Sequence, residues 1–248
     1  MEFSNARGTR DISGKDAIMR GKAVRALQES FELFGFEPLE TPVLEKFETL
    51  SSKYAGGEEI LKEVFKLNDQ GERQLGLRYD LTVPFARFVA SNPNLKMPYK
   101  RYAVGSVFRD GPLKAGRYRE FTQCDADVAG DYSMKADAEM IKLALMAFDK
   151  LGMKVNVRMN NRKVLDSLLS QAGVPITRAQ DVILSLDKLL KIGREGVKKE
   201  LKQKNINAAT IDNIFGLLGY QGGGRQNRGE LENLKKVLVN KDGLNEVE

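Results

Sequence analysis

The stretch RYREFTQCDADVAG, Arg117 to Gly130, most constrains what this chain can fold into. In a β-strand, successive side chains point to opposite faces, so residues of one parity line one face. A strand that only filled a core would be apolar on its buried face. Here one parity carries a cation, an aromatic ring, an amide and two carboxylates: Arg119, Phe121, Gln123, Asp125 and Asp127. The pattern therefore predicts a strand whose inward face binds a polar ligand.

A second strand is predicted just before this one, with a basic loop between them. Tyr99 to Arg109 and Arg119 to Val128 have the composition of strands, and their spacing favours an antiparallel pair. The loop contains glycines that permit sharp turns, and Lys114, Arg117 and Arg119 offer hydrogen-bond donors to phosphate. A solvated basic hairpin tip is the alternative interpretation of the same residues.

The inward face of the predicted strand leaves several kinds of chemistry open. The carboxylates of Asp125 and Asp127, beside the amide of Gln123, suit a glycosidase pair, a magnesium site or the recognition of a polar ligand. A buried salt-bridge network with Arg109 and Arg119 explains the same residues without any ligand.

A third polar cluster, Arg78 to Thr82, runs from a predicted strand end into a predicted helix start. Asp80 and Thr82 have side chains that cap helices, and that interpretation needs no ligand. The functional alternative is that Asp80 holds an ammonium group while Thr82 hydrogen-bonds a polar substrate.

The composition excludes whole classes of chemistry. The chain has no histidine, so imidazole cannot serve as a base, a nucleophile or a metal ligand. Its single cysteine, Cys124, excludes internal disulfides and cysteine-rich zinc sites and favours a reducing, cytoplasmic location. No apolar run is long enough to span a bilayer, so no membrane partner is expected. The formal net charge of +6 favours anionic partners such as nucleotides or RNA without selecting one.

The order of predicted elements indicates a mixed α/β (α+β) fold in two parts. Residues 1–175 combine helices with hairpin-forming strands, which predicts a mainly antiparallel sheet flanked by helices. Residues 176–248 contain short Lys- and Leu-rich segments, which predict a small helical domain. The run Gly222 to Gly224 lacks the residues of a phosphate loop and is interpreted as a flexible linker. The predicted elements include helices at Lys15–Phe34, Thr82–Ala90, Asp137–Leu151, Asn161–Ala172, Asp181–Leu190 and Gly196–Lys204, a hairpin of Val64–Leu67 with Gln74–Arg78, and a strand at Lys154–Met159.

Several segments together resemble class II aminoacyl-tRNA synthetases, and specifically the catalytic domain of histidyl-tRNA synthetases. Gly8 to Asp11 and FGFEPLETPVLE resemble the start of that family and its first signature motif, where a strand ending at Pro42 belongs to the dimer interface. LRYDLTVPFAR is similar to the segment that contacts histidine, and FRDGPLKAGRYREFTQCDAD is similar to the strand-loop-strand motif that binds ATP. Asp187 to Gly193 is similar to a pattern in the family's inserted helical domain.

The resemblance implies a role for each matching residue. Arg109 is implied as the catalytic residue, which grips the α-phosphate of ATP. Further implied ATP contacts are Arg117, Arg119 and Phe121, with Phe121 stacking on adenine and Mg²⁺ held through the phosphates rather than by the chain. Lys114 is implied to contact the tRNA acceptor end. The residues implied to bind histidine are Asp80, Leu81, Thr82, Gln123 and Asp127.

The implied activity is that of a histidine–tRNA ligase, in which ATP activates histidine before its transfer to tRNA, in a homodimer formed through the Pro42 region. The chain departs from the family at Gly111, where a glutamate that recognises adenine is common. No segment resembles the third signature motif or an anticodon-binding domain, so we expect an N-terminal portion of the catalytic domain that is inactive alone. The alternatives are a histidine-sensing paralogue like the regulatory subunit of ATP phosphoribosyltransferase, and a module that only dimerises.

Overall fold

The computed structural model of the chain describes residues 3–52, 60–157, 159 and 161–219. The chain divides into two compact units, Met1–Val157 and Arg158–Glu248. This division lies before the predicted boundary at 175/176, because the helix that follows Asn161 packs with the helices after it. The predicted linker at 222–224 lies outside the described residues.

The first unit begins with helix α1, Gly14–Leu33, close to the predicted Lys15–Phe34. The helix ends where Gly35 adopts a φ of 75°, and the N–H groups of Gly35 and Phe36 donate back to carbonyls of the last turn. This cap turns Phe36 back onto the core. Helix α4, Met134–Lys150, packs against α1. The core of this region contains Phe31, Phe36, Tyr102 and Leu143.

The central sheet of this unit contains three strands. The short β1, Glu37–Pro38, is parallel to β5, Tyr99–Phe108, and β5 is antiparallel to β6, Glu120–Ala129. The two long strands pair along their whole length, from Tyr99 opposite Ala129 to Phe108 opposite Glu120. The predicted antiparallel pair is therefore confirmed.

A second sheet in the same unit also has three strands. These are β2, Leu44–Lys46, β3, Lys66–Asn68, and β4, Gln74–Leu77, in the order β2, β4, β3 with both pairings antiparallel. The predicted hairpin is confirmed as the β3–β4 pair. Its turn is stabilised by Asp69, whose carboxylate accepts hydrogen bonds from the N–H groups of Gly71 and Arg73. Helix α2, Phe47–Ser51, packs against this sheet.

Helix α3, Thr82–Ser91, follows directly after the polar cluster at 78–82, as predicted. The predicted strand at Lys154–Met159 is wrong, since residues 154–157 and 159 lie in neither a strand nor a helix. Within the described residues, neither sheet has a strand that pairs with this segment. Without a neighbouring strand, its backbone groups have no ladder to join.

The described part of the second unit is helical. Its apolar residues meet in one core that includes Val182, Val197 and Leu201. The Asn161 carboxamide caps the first of these helices by accepting hydrogen bonds from the N–H groups of Lys163 and Val164. The helices are α5, Arg162–Gln171, α6, Ile176–Leu186, α7, Leu189–Gln203, and α8, Ala208–Gly219.

The predicted helix Asp181–Leu190 has both boundaries wrong. Helix α6 starts at Ile176, directly after Pro175, and ends at Leu186. Proline lacks the N–H that an earlier turn would need, so Pro175 sets the start. Within α7, Gly193 has a φ of 71°, and regular helix resumes close to the predicted start at Gly196. No helix in the described residues has the length and apolar character to cross a bilayer.

Candidate substrate-binding site

The two faces of the β5–β6 pair differ in chemistry, as the alternation predicts. Cys124, Ala126 and Val128 pack into the core around Tyr102. The same burial raises the pKa of the Cys124 thiol to about 11, so the thiol is held protonated. The opposite face carries the polar side chains, and β5 adds to it Arg101, which lies directly opposite Asp127.

Arg101 organises the centre of this face, and the sequence pattern did not single it out. Its side chain is completely buried. Nη2 lies 2.5 Å from Asp127 Oδ2 and donates to the Leu81 carbonyl oxygen at 3.0 Å. The guanidinium carbon lies 4.6 Å from the ring centroid of Phe85 in α3. Arg101 therefore joins the strand pair to the segment that begins α3.

The carboxylate of Asp125 is held in a mixed environment. Burial raises its pKa, while the hydrogen bond from Gln123 and the charge of Arg101 lower it in part. Gln123 Nε2 donates to Asp125 Oδ2 at 3.1 Å. The salt-bridge alternative of the sequence analysis is thus correct in kind but wrong in its arginines, because Arg101 pairs with Asp127 whereas Arg119 pairs with Asp110.

Several buried polar atoms on this face make no hydrogen bond within the described residues. Among the described residues, the buried side-chain atoms without a hydrogen bond are Arg101 Nε and Nη1, Arg119 Nε, Gln123 Oε1 and Asp127 Oδ2. Asp127 Oδ2 nevertheless has a charged neighbour, because Arg101 Nη2 forms an ion pair with it. Leaving the other four atoms without a hydrogen bond costs about 1–3 kcal/mol each, so their presence on one face indicates a place for ordered water or a polar ligand.

The cluster at 78–82 combines a structural role with a position beside this face. Asp80 Oδ1 accepts a hydrogen bond from the Val83 N–H at 2.9 Å, so the capping interpretation is confirmed for Asp80. Leu81 is buried and presents its carbonyl to Arg101. Thr82 is half-buried as the first residue of α3. The structure thus places Asp127 and Leu81 in direct contact with Arg101, and Asp80 and Asp125 are near enough for their charges to act on it. Gln123 lies further along β6, where it contacts Asp125.

Arg109 and Phe121 form the second part of the face. The Arg109 guanidinium carbon lies 5.1 Å from the Phe121 ring centroid, and Nε donates to the Tyr79 carbonyl oxygen at 3.1 Å. The backbone N–H of Arg109 donates to the Arg119 carbonyl oxygen at 2.8 Å, which continues the strand ladder. A fixed guanidinium beside an aromatic ring suits a ligand with both an anionic and a planar group.

The basic loop between β5 and β6 is held by ion pairs with carboxylates. Arg117 Nη2 contacts both carboxylate oxygens of Glu63, at 3.0 and 3.1 Å, and Arg119 Nη2 lies 2.8 Å from Asp110 Oδ1. These ion pairs are partly exposed, and pairs of this kind contribute about 0–1 kcal/mol to stability. A polyanion can therefore displace the carboxylates from the arginines. Lys114 is exposed in the loop, outside the inward strand face.

Gly111 lies against Glu63. A Cβ at position 111 would meet Glu63 Oε1 at 2.9 Å and its carboxyl carbon at 3.0 Å. The Asp110 N–H donates to the Glu63 carbonyl oxygen at 2.7 Å, which fixes Glu63 beside the loop. A carboxylate is therefore present next to Gly111, supplied by the 3₁₀ turn Ile60–Glu63 rather than by the loop itself.

The arrangement of the acidic side chains bears on metal binding in the part of the chain that the structure describes. No group of three or more His, Cys, Asp or Glu side chains there is arranged to hold an ion. The carboxylates of the strand face instead surround a guanidinium, which competes with a cation for the same oxygens.

Comparison with known proteins defines the class and then the family. The histidyl-tRNA synthetase family model matches residues 8–248. Histidine–tRNA ligase 1 of Bacillus cereus is 49% identical over 214 residues, covering 86% of this chain and 49% of that protein. Histidine–tRNA ligase of Aeropyrum pernix is 43% identical over 223 residues, covering 87% of this chain and 50% of that protein.

Solved structures give the same result. A histidyl-tRNA synthetase from Nostoc sp. PCC 7120 matches with a TM-score of 0.79 and 28% identity, over 100% of this chain and 54% of that one. A Bacillus halodurans structure described as an ATP phosphoribosyltransferase regulatory subunit/histidyl-tRNA synthetase matches with a TM-score of 0.81 and 26% identity. The match covers 99% of this chain and 63% of that one. The fold is therefore that of the class II aminoacyl-tRNA synthetases. The chain belongs to the histidyl-tRNA synthetase family, and it spans about half the length of the curated relatives it matches.

Proposed function

We propose that this chain provides the histidine- and ATP-binding face of a histidine–tRNA ligase catalytic domain. The observation that carries the proposal is the set of buried polar atoms of Arg101, Gln123 and Asp127 that make no hydrogen bond within the described residues. Arg109 and Phe121 lie on the same strand face. An amino acid and a nucleotide that must react with each other need such adjacent sites.

In the histidine part of the proposed site, carboxylates and an amide recognise the polar groups of the substrate. Asp80 and Asp127 attract the α-ammonium group, while the free Gln123 Oε1 accepts a hydrogen bond from it or from the imidazole. Thr82 offers a hydroxyl, and Leu81 contributes its backbone position. Charge-assisted hydrogen bonds of this kind are stronger than neutral ones, so the carboxylates hold the α-ammonium group that every amino acid carries. The contact with the imidazole is the one that distinguishes histidine from an apolar competitor.

In the ATP part, Arg109 binds the α-phosphate and Phe121 stacks on the adenine. The bond from Arg109 Nε to the Tyr79 carbonyl orients the guanidinium before the nucleotide arrives. As the histidine carboxylate attacks the α-phosphorus and pyrophosphate leaves, negative charge develops on the α-phosphate oxygens, and a preoriented cation stabilises it. Arg117 and Arg119 bind the remaining phosphates after exchanging their carboxylate partners for them.

Other partners follow from the same proposal. Mg²⁺ enters with ATP as part of the substrate complex, bound through the phosphates. Lys114, exposed in the loop, contacts the phosphates of the tRNA acceptor end.

Pro42 and the exposed Val43 and Leu44 offer a surface for a second copy of the chain, as a homodimer requires. A cytoplasmic location accords with the single free thiol.

A histidine-sensing role is the second candidate, favoured by the description of the Bacillus halodurans relative. The two candidate functions differ in whether the chain binds ATP, because a histidine sensor needs only the histidine part of the face. The basic loop favours the ligase, because a histidine sensor does not need Arg117 and Arg119 to bind phosphates.

Calorimetric titration of the chain with Mg-ATP tests the proposal. We expect binding that Arg109→Ala abolishes, because solvent cannot replace a preoriented guanidinium against phosphate. Arg73→Ala is the matched control, since the Arg73 side chain is 80% exposed in the β3–β4 turn of the same unit. Histidine binding without ATP binding would favour the sensor, and equal ATP binding by wild type and Arg109→Ala would contradict the role of Arg109.

A further inference from the structure

Arg101 is an unusual residue for the middle of a sheet. It is the largest fully buried side chain among the described residues. Burial lowers the pKa of its guanidinium, and the charges of Asp127, Asp125 and Asp80 oppose that effect. An arginine stays charged in proteins, so this position holds a cation away from water. A buried charge is tolerated only when neighbouring groups compensate it.

The groups that compensate Arg101 belong to both segments of the proposed histidine site. Asp127 is its register partner on β6, and the Leu81 carbonyl oxygen comes from the turn that precedes α3. Both are contacted by the same nitrogen, Nη2. The ring of Phe85 covers the guanidinium from the side of α3. A planar guanidinium can bridge two such groups in a fixed geometry, whereas a lysine ammonium holds them less rigidly.

We propose that Arg101 is a positioning residue of the amino-acid site, which fixes the Asp127 carboxylate and the Leu81 backbone relative to each other. The inference rests on the proposed function, since it assigns these groups to histidine. Arg101 also places a positive charge among the nearby carboxylates of Asp80, Asp125 and Asp127, which reduces the repulsion between them.

Lys100 provides a matched control within the same strand. Its side chain projects to the opposite face, where Nζ forms an ion pair with Glu139 at 2.7 Å. Replacing Lys100 with methionine removes the same charge from an adjacent position without touching the polar face. Any loss of histidine binding that occurs on replacing Arg101 but not Lys100 therefore reflects the position of Arg101 in the site.

The test measures histidine binding by calorimetry for the wild-type chain, Arg101→Met, Arg101→Lys and Lys100→Met. We expect Arg101→Met to weaken histidine binding by about tenfold or more, as is typical when a residue that orients a binding group is lost. Arg101→Lys should fall between Arg101→Met and wild type, and Lys100→Met should bind as wild type does. Arg101→Lys also decides the matter if Arg101→Met does not fold.

A second readout does not depend on histidine. Carbon-13 NMR of the aspartate carboxyl groups should show a higher pKa for Asp125 in Arg101→Met than in wild type, because a neighbouring cation is removed. If this rise occurs but the wild-type chain does not bind histidine, the proposed function fails while Arg101 keeps its role in the carboxylate cluster. Histidine binding that is equal in wild type, Arg101→Met and Arg101→Lys, or an unchanged Asp125 pKa, would overturn the inference.

Discussion

The guanidinium of Arg109 lies over the ring of Phe121, with 5.1 Å between its central carbon and the ring centroid. Arg109 stands just after β5 and Phe121 stands near the start of β6, so the pairing of the two strands creates this contact. A nucleotide that uses both residues would meet a cation and an aromatic face at once. The proposed ATP site therefore depends on the register of these strands.

Phe121→Ala should weaken ATP binding by about 5- to 150-fold, because stacking of a base on an aromatic ring contributes about 1–3 kcal/mol. Phe121→Tyr retains the ring and should bind ATP nearly as well as the wild-type chain. Calorimetric titration at one salt concentration gives the comparison. Equal affinities for wild type and Phe121→Ala would remove Phe121 from the site.

Glu63→Gln should strengthen ATP binding by up to about fivefold. The wild-type carboxylate contacts Arg117 at 3.0 and 3.1 Å, so phosphate must first displace it, and partly exposed pairs of this kind contribute up to about 1 kcal/mol. The gain should shrink at high salt, because screening already weakens the ion pair. Weaker binding by Glu63→Gln would instead mean that Glu63, which lies beside Gly111, contacts the nucleotide itself.

Asp127→Asn should lower the free energy of unfolding by about 3 kcal/mol, because it removes the carboxylate that forms an ion pair with the buried Arg101. This loss lies at the low end for buried ion pairs, because the Asp127 side chain is 30% exposed. Glu48→Gln serves as the control, because the Lys46–Glu48 pair is 74% and 79% exposed and contributes little. Urea unfolding curves measure both variants, and equal small effects would contradict the burial of charge at Arg101.

Gly105→Ala should destabilise the chain by about 1–3 kcal/mol, as overpacking does in well-packed regions. A Cβ at position 105 would collide with the guanidinium of Arg78, which is buried and donates hydrogen bonds to the carbonyls of Ser106 and Thr41. Gly21→Ala in α1 is the control, since its Cβ would meet nothing within 4 Å and alanine favours helix. Thermal unfolding should show a lower Tm for Gly105→Ala only.

The Cys124 thiol should make stability fall at alkaline pH. Its folded-state pKa is raised to about 11 by burial, above the ordinary value of 9.0, so the unfolded chain loses the proton first as pH rises. The stability that the raised pKa of Cys124 contributes is therefore fully present below about pH 9 and is lost as the pH approaches 11. Unfolding of wild type and Cys124→Ala across this window measures it. The difference between the two should narrow as pH rises, and a constant difference would contradict the assignment.

The sequence predicted the parts of the fold that depend on local periodicity. The alternation around Gln123 and Asp127 identified the strand, its partner and the polar face, because side-chain direction in a strand follows from residue parity alone. The helix stop at Gly35 was likewise readable, since glycine tolerates the positive φ that ends a helix.

The missed features depend on contacts between distant segments. No local pattern distinguishes Arg101 from the neighbouring Lys100. Its pairing with Asp127 follows only from the register of β5 against β6. The Glu63–Arg117 pair joins segments that no local pattern relates. The wrong strand at Lys154–Met159 has suitable residues but no neighbouring strand among those described, and strand formation needs such a partner.

Mapping both ligands on the chain by amide NMR tests the central claim most directly. Titration with histidine should shift the amide signals of Asp80, Thr82, Gln123 and Asp127, and titration with Mg-ATP should shift those of Arg109, Arg117, Arg119 and Phe121. Signals of the helical residues 162–219 should stay unchanged. Shifts confined to those helices, or no shift on the β5–β6 face at saturating concentrations of both ligands, would contradict the proposal that this face binds histidine and ATP.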